Sequence, residues 1–302
     1  MNNFIEYFYG IKIDKVIYNS KYYSFIYNGY IYRLYVYENG YNNVKFMYET
    51  DKRLIGNTLM SEIIVNQNNE VLSNYNGISY ILIKVFANIN KSISLEEISF
   101  LSKSLYMEKV NINWAVLWSN KIDYLEDLIN ENGKKYPLIV DSFNYFVGMA
   151  ENAISYFNSI VLDNNYKYVL SHKIIRWSDT VEALYNPINI TFDYKVRDIS
   201  EYIKNSFFNN NYNIYNELSN YLRKNYLSLM EVKLLISRLL YPSFYFDMYE
   251  DILIDNKEEK IILDVISKLD EYEDYLSKVI DFFKVNYDVY EIEWLKKRKD
   301  FN

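Results

Sequence analysis

Within residues 171–203, SHKIIRWSDTVEALYNPINITFDYKVRDISEYI, several side chains stand where phosphoryl transfer would want them. His172 opens a loop. Asp193 closes the apolar run 188–192, and Asp198 precedes a helix-like stretch. That chemistry needs one Asp to position the acceptor hydroxyl, and an Asn and a second Asp to hold magnesium. Asp193 takes the metal-holding Asp position and Asp179 falls where the Asn is expected; its oxygens also suit magnesium. Two residues after His172, where the proton-accepting Asp belongs, stands Ile174. A hydrocarbon neither accepts a proton nor carries charge, so the segment reads as phosphate-transfer machinery without its base. Each residue also has a plainer role. His172 suits a structural histidine bonded to backbone, Asp179 a cap or turn, and Asp193 a strand-end carboxylate bonded to nearby amides. Asp198 suits a cap or an arginine partner, with Arg197, Arg176 and Arg238 as candidates.

Phosphoryl transfer also needs a glycine-rich cover over the phosphates and a lysine, usually paired with a glutamate, to orient them. Residues 22–29 occupy the place of the cover but contain a single glycine. The strand-like run 30–38 has Arg33 as its only basic residue. Lys45 and Lys52 are substitutes from the following helix, and Glu49 on that helix reads as a solvated residue.

The elements that must position these residues change character along the chain. Residues 15–20, 22–27 and 30–38 are rich in Tyr, Ile and Val and read as strands. Asn28-Gly29 between the last two marks a hairpin. A helix over 42–54 and strands over 59–66 and 78–86 follow. After residue 88 the period becomes helical. Ser94-Leu95-Glu96-Glu97 has capping-box form and opens a helix to about residue 106. Helices are expected over 114–132 and 140–162, at starts led by Asp198 and Ser228, and over 258–287. Trp114 and Trp118, four apart, read as packing residues on one helix face. All seven glycines lie at or before Gly148, which fits a helical second half. The expectation is an α+β fold: a small antiparallel sheet with one helix in residues 1–90, and a larger, mainly helical part in 91–302. The boundary falls near 88–92.

Composition narrows the functions. The 302 residues include no Cys and one His, which excludes disulfides, thiolate metal sites and Cys nucleophiles, and disfavours histidine-based zinc sites and Ser-His-Asp triads. A net charge of −7 disfavours nucleic-acid binding. The basic run KKRK at 296–299 reads as a solvated chain end. The N-terminal MNNFIEYFYG lacks the basic flank and apolar run of a signal peptide. The apolar run 78–89 is interrupted by Lys84 and too short to span a bilayer. Tyrosine is abundant, at 35 residues. Its AT-rich codons, shared with Asn, Ile and Lys, point to base composition; stacking or oxidative cross-linking on an assembled surface is the other reading.

Several blocks together resemble the spore coat proteins of the CotS/YutH type, in the aminoglycoside phosphotransferase and choline kinase-like superfamily. They are Trp114-x-x-x-Trp118-x-x-Lys121-Ile122-Asp123-Tyr124-Leu125-Glu126, then Gly148-Met149-Ala150-Glu151-Asn152-Ala153-Ile154, and His172. Next come Asp193, Arg197-Asp198-Ile199-x-Glu201-Tyr202-Ile203, Ser228-Leu229-x-Glu231, and Ser237-Arg238-Leu239-Leu240-Tyr241-Pro242-Ser243-Phe244-Tyr245-Phe246-Asp247. The resemblance covers roughly residues 100–250 well. It implies a bilobal protein kinase-like fold, synthesis in the mother-cell cytoplasm, deposition on the spore coat, and other coat proteins as partners. His172 takes the place of the His in the pattern His-Gly-Asp-x-x-x-x-Asn, and Ile174 replaces its Asp. The chain therefore reads as a degenerate kinase: no catalytic residue, no cofactor expected, and His172, Asp179 and Asp193 as a vestigial site. The rival is an active small-molecule phosphotransferase, using ATP and magnesium held by Asp179 and Asp193.

Overall fold

A computed structural model describes residues 1–19, 21–38, 41–87, 90–108, 112–254 and 257–299, with backbone only at 41, 42 and 297–299. The boundary expected at 88–92, Ser20, Ile89 and the side chains of the basic run beyond Lys296 thus lie partly or wholly outside the described residues. The chain forms two compact units. The first holds Met1–Leu105 and Leu170–Phe192; the second holds Tyr106–Val169 and Asp193–Asn302.

The first unit opens with helix α1 (Asn2–Tyr9), followed by strands β1 (Ile17–Asn19), β2 (Tyr22–Tyr27) and β3 (Tyr30–Val36). Helix α2 (Tyr41–Leu54), strands β4 (Glu62–Ile64), β5 (Ser73–Tyr75) and β6 (Ile78–Val85), and helix α3 (Leu95–Ser102) complete its N-terminal part. The antiparallel sheet runs β1-β2-β3-β6-β4, with β5 also on β6. Asn28 and Gly29 both hold positive φ, 49° and 78°, as a tight two-residue hairpin turn requires. Tyr27 then faces Tyr30, and Leu34 faces Leu82 across β3 and β6. Strand β6 is buried on both faces by its period of two. Tyr80 and Leu82 join Phe4 and Ile5 of α1, whereas Ile81 joins Val44 and Met47 of α2 and Ile63.

Strand β7 (Tyr106–Met107) and helices α4 (Trp114–Asn132) and α5 (Pro137–Asn158) follow, then strand β8 (Tyr168–His172), the short helix α6 (Val181–Leu184) and strand β9 (Ile190–Asp193). The remainder is helical: α7 (Arg197–Phe208), α8 (Ile214–Lys224), α9 (Leu229–Leu240), α10 (Ser243–Leu253), α11 (Leu263–Ile266), α12 (Leu269–Lys284) and α13 (Glu293–Lys299). Helix α4 has the expected bounds because Asn113 caps it through the Val116 amide. Helix α5 begins three residues before the expected start, with Pro137 in its first turn. The expected 94–106 helix stops at Ser102, and Tyr106 instead pairs with Val169. The expected 258–287 helix breaks at residues 267–268 into α11 and α12. Ser228 and Glu231 form a full capping box on α9.

The compact units do not follow one cut. Residues 170–192 belong with the sheet, and so does α3. Lys91 O accepts from Val181 N at 2.8 Å, and Tyr185 donates its hydroxyl to Glu97 at 2.7 Å. Among the described residues no helix is long and apolar enough to cross a membrane.

Candidate functional site

In the first unit, the segment after β8 is built from backbone contacts. His172 is buried, and its Nε2 lies 2.8 Å from the Leu184 carbonyl. Asn189 stitches the loop: its Oδ1 accepts from the Ile174 amide at 3.1 Å. Its Nδ2 donates to the carbonyls of Ile174 and Ala183 at 2.8 and 3.1 Å. Ile174 itself is 36% exposed, a hydrocarbon at the surface of the loop. Asp179 folds back on its own turn, accepting from the Arg176 amide at 2.7 Å. Burial raises its carboxyl above the usual range, against the opposing pull of that amide, Arg176 and Lys21.

The cation of strand β3 is also committed. Arg33 forms an ion pair with Glu182 of α6, and its guanidinium lies 4.3 Å from the centre of the Tyr22 ring. Its Nε is buried without a hydrogen-bond partner. Burial raises Glu182 above the usual carboxylate range, and Arg33 pulls it back. One residue pair along the strand, Asn186 donates to the Tyr35 hydroxyl at 3.2 Å, and burial pushes that phenol up to about 12. A phosphate-orienting cation must have donors to offer an incoming anion. Arg33 instead ties β3 to the loop that follows His172. The substitutes named from sequence face solvent: Lys45 lies 3.9 Å from Glu49, and Lys52 lies 3.5 Å from Glu62.

In the second unit, Asp193 is 2% exposed and its carboxylate is fully engaged. Trp114 Nε1 donates to Oδ1 at 3.0 Å and Oδ2 at 3.2 Å, and the Tyr194 amide donates to Oδ1 at 2.7 Å. Arg197 pairs with Oδ2. Trp114 is held by Trp118 stacked at 5.5 Å and by Tyr194 edge-on at 5.1 Å, with the Arg238 guanidinium 5.0 Å from its ring centre. Asp193 opposes the burial that would lower Arg197, and its guanidinium ends above its ordinary value; Asp198 adds to the field there. Replacing Trp114 by Phe keeps an aromatic ring in the stack, removes the donor and leaves a small void at a fully buried position. The expected loss of stability is about 2–4 kcal/mol, read from urea unfolding, because a buried charged acceptor loses a partner and the core loses packed atoms.

The residues singled out from sequence thus fall in two places: His172, Ile174 and Asp179 in the first unit, Asp193 in the second. The partners that define their chemistry, Glu182, Asn189 and Trp114, were not named for those roles. Trp114 also packs against Trp118, as their helical spacing implies, and against Tyr194. Among the described residues, no group of three His, Asp or Glu side chains converges as a metal site. The donor set at Asp193 does not fit a metal ion, since an indole, an amide and a guanidinium already take its lone pairs.

Residues 2–281 match the family described as "Spore coat putative kinase YutH". The chain belongs to this family. It is 26% identical over 271 residues to the endospore coat-associated protein YutH of Bacillus subtilis (strain 168), spanning 79% of this chain and 80% of that protein. Among solved structures it is similar to an aminoglycoside phosphotransferase from Alicyclobacillus acidocaldarius subsp. acidocaldarius DSM 446. That match has a TM-score of 0.61 and 9% identity, and covers 90% of this chain and 93% of that one. It is also similar to the amicoumacin kinase hAmiN, with a TM-score of 0.57 and 10% identity over 90% and 91% of the two chains. At such identity the likeness speaks to fold alone. The fold is the expected kinase-like α+β fold, with an antiparallel sheet toward the N-terminus and a mainly helical remainder.

Proposed function

We propose that this chain is a structural or assembly component of the bacterial spore coat, built on a kinase-like fold that no longer transfers phosphate. In this reading it is made in the mother-cell cytoplasm, moves to the coat, and has other coat proteins as its partners. The observation that carries the loss of chemistry is the Asp193 carboxylate, closed off by Trp114, Tyr194 and Arg197. Ile174 at the proton-acceptor position and Arg33 committed to Glu182 support it from the first unit. The family and the coat-associated Bacillus relative support the cellular setting.

A second reading, a small-molecule phosphotransferase using ATP and magnesium, draws on Asp179, whose Oδ1 has no hydrogen-bond partner among the described residues. Thermal unfolding separates the two. A ligand at a hundred times its Kd adds about 2.7 kcal/mol, or about 5 °C for a chain of this size. The expected result is no shift with millimolar ATP and magnesium, and no turnover approaching ~1 per second. A shift of that size, lost in Asp179→Ala, overturns the inert reading. A fluorescent fusion in sporulating cells is expected to collect on the developing spore; diffuse mother-cell signal through to release contradicts a coat role.

A further inference from the structure

In the first unit, a groove of about 930 Å³ lies between α1 and the β5–β6 hairpin. Asn3, Phe4 and Tyr7 form one wall; Tyr75, Asn76 and Ile78 form the other. No charged side chain is among the described residues that line it.

The walls are held in place without any ligand. The Gln67 amide donates to the Phe8 carbonyl at 2.8 Å, and Ser73 donates to the Tyr9 hydroxyl at 3.1 Å, fixing α1 against the β4–β5 side of the sheet. Phe4 meets Tyr75 edge-on at 5.8 Å and Tyr80 at 4.9 Å. Asn76 and Gly77 hold φ of 51° and 79°, so the hairpin tip is a tight turn. Over this rigid base, Tyr7 and Tyr75 are 76% and 52% exposed. The side chains of Asn3 and Asn76 are exposed and make no hydrogen bond among the described residues.

We propose that this groove binds a neutral oligosaccharide. A sugar ring has an apolar C–H face, which suits an exposed aromatic ring, and vicinal hydroxyls at its edge. A primary amide offers a donor and an acceptor side by side to such a pair of hydroxyls. Rigid aromatic walls with a few convergent polar groups are the general make-up of a small-molecule site, and the volume lies at the upper end of the usual range of roughly 300–1,000 Å³. That size suits several linked sugars better than one. An anionic ligand would find no basic side chain here, only the amino group of Met1 at one end of the lining, and a cationic one no carboxylate. A purely apolar partner would cover the amides of Asn3 and Asn76 without pairing them, at about 1–3 kcal/mol each.

The test is titration of the full chain with chitotetraose, maltotetraose and cellotetraose, followed by saturation-transfer NMR and calorimetry. At least one is expected to bind with Kd near ~1 mM or tighter. The double variant Tyr7→Ala/Tyr75→Ala is expected to weaken it at least about tenfold. Tyr75 also meets Phe4 and Tyr7 meets Phe8, each edge-on, so a fall of a few degrees in melting temperature is expected, and an unchanged far-UV circular dichroism spectrum at the titration temperature separates loss of the site from loss of the fold. Absence of binding by all three sugars overturns the proposal, as does binding that the double variant leaves intact. Equal binding of tetragalacturonate removes the selection for neutral ligands and overturns it too. A concentration-dependent dimer that the double variant dissociates, with no sugar binding, assigns the groove to a second copy of the chain instead. None of these outcomes depends on whether nucleotide binds.

Discussion

Glu201→Ala is expected to cost about 3–5 kcal/mol of stability, the largest single loss in the second unit. Glu201 sits on α7 with its carboxylate buried and fully paired. Its Oε1 accepts from Lys204 Nζ and from Arg238 Nε, each at 2.9 Å, and its Oε2 accepts from the Ser243 hydroxyl at 2.8 Å. Lys204 is 1% exposed, and its remaining donors reach Ser243 at 2.6 Å and the carbonyls of Arg238 and Tyr241 at 3.3 and 3.2 Å. Burial alone would raise Glu201, but Lys204 and Arg238 hold it well below the usual carboxylate range. Burial lowers Lys204, and Glu201 is the first group opposing that. Removing the carboxylate leaves two buried cations facing each other, and α7, α9 and the start of α10 lose their common tie. Lys204→Met tests the same network from the other side. It removes one buried charge with little change in volume and leaves Glu201 paired with Arg238. Its loss is expected to be less than half that of Glu201→Ala, measured as the urea midpoint at constant slope. Equal losses would show that shape rather than charge balance sets the stability here.

Much of the frame was legible because it follows from local chemistry. Asn28-Gly29 between two Tyr-rich runs specified the β2–β3 hairpin, and the serines at 94 and 228 marked the starts of α3 and α9 by the amides they cap. The same dipeptide at 76–77 turns β5 into β6, yet β5 has no strand signal in the sequence. Its three residues, Ser-Asn-Tyr, carry no apolar alternation, and β6 holds it by backbone pairing. Helix α1 lacks a sequence signal for a different reason. Phe4, Ile5, Tyr7, Phe8 and Tyr9 are strand-favouring types, and they become helical because Phe4 and Ile5 bury against the sheet. The glycine-free second half still needs left-handed turns. Among the described residues every non-glycine at positive φ is asparagine, Asn210 included, so the abundance of Asn replaces part of what glycine would do.

The site was legible by residue type and illegible by partnership. The hydrocarbon at Ile174 and the lone basic residue of β3 can be read directly. What those positions touch cannot. Trp114 lies 79 residues from Asp193, and Glu182 lies 149 residues from Arg33. No local period relates such pairs. Only the folded chain shows that an indole and a guanidinium have closed off one carboxylate, and that a glutamate pairs with the strand cation.

Asp51→Asn should stabilise the first unit at alkaline pH and flatten its pH dependence. Asp51 lies on the sheet-facing side of α2 at 0% exposure. Its Oδ2 accepts from the Ile63 amide at 3.0 Å, while Oδ1 is buried with no partner. Burial pushes the carboxyl up to about 7, with the Ile63 amide and Lys52 pulling down and Glu62 pushing up. A carboxyl raised on folding favours the folded state least when ionised. Below its ordinary value of 3.8 both states are protonated and nothing is lost. From there to about pH 7 the folded protein loses stability as pH rises, at up to ~1.4 kcal/mol per pH unit, and above that the loss stays constant. An asparagine keeps an acceptor for the Ile63 amide and cannot ionise. The variant's advantage over the parent is therefore expected to grow by about 2–3 kcal/mol between pH 5 and pH 8, read as paired urea midpoints at the two values. An advantage that is the same at both would mean that Asp51 stays ionised in the folded protein, with its unpaired oxygen reached by water.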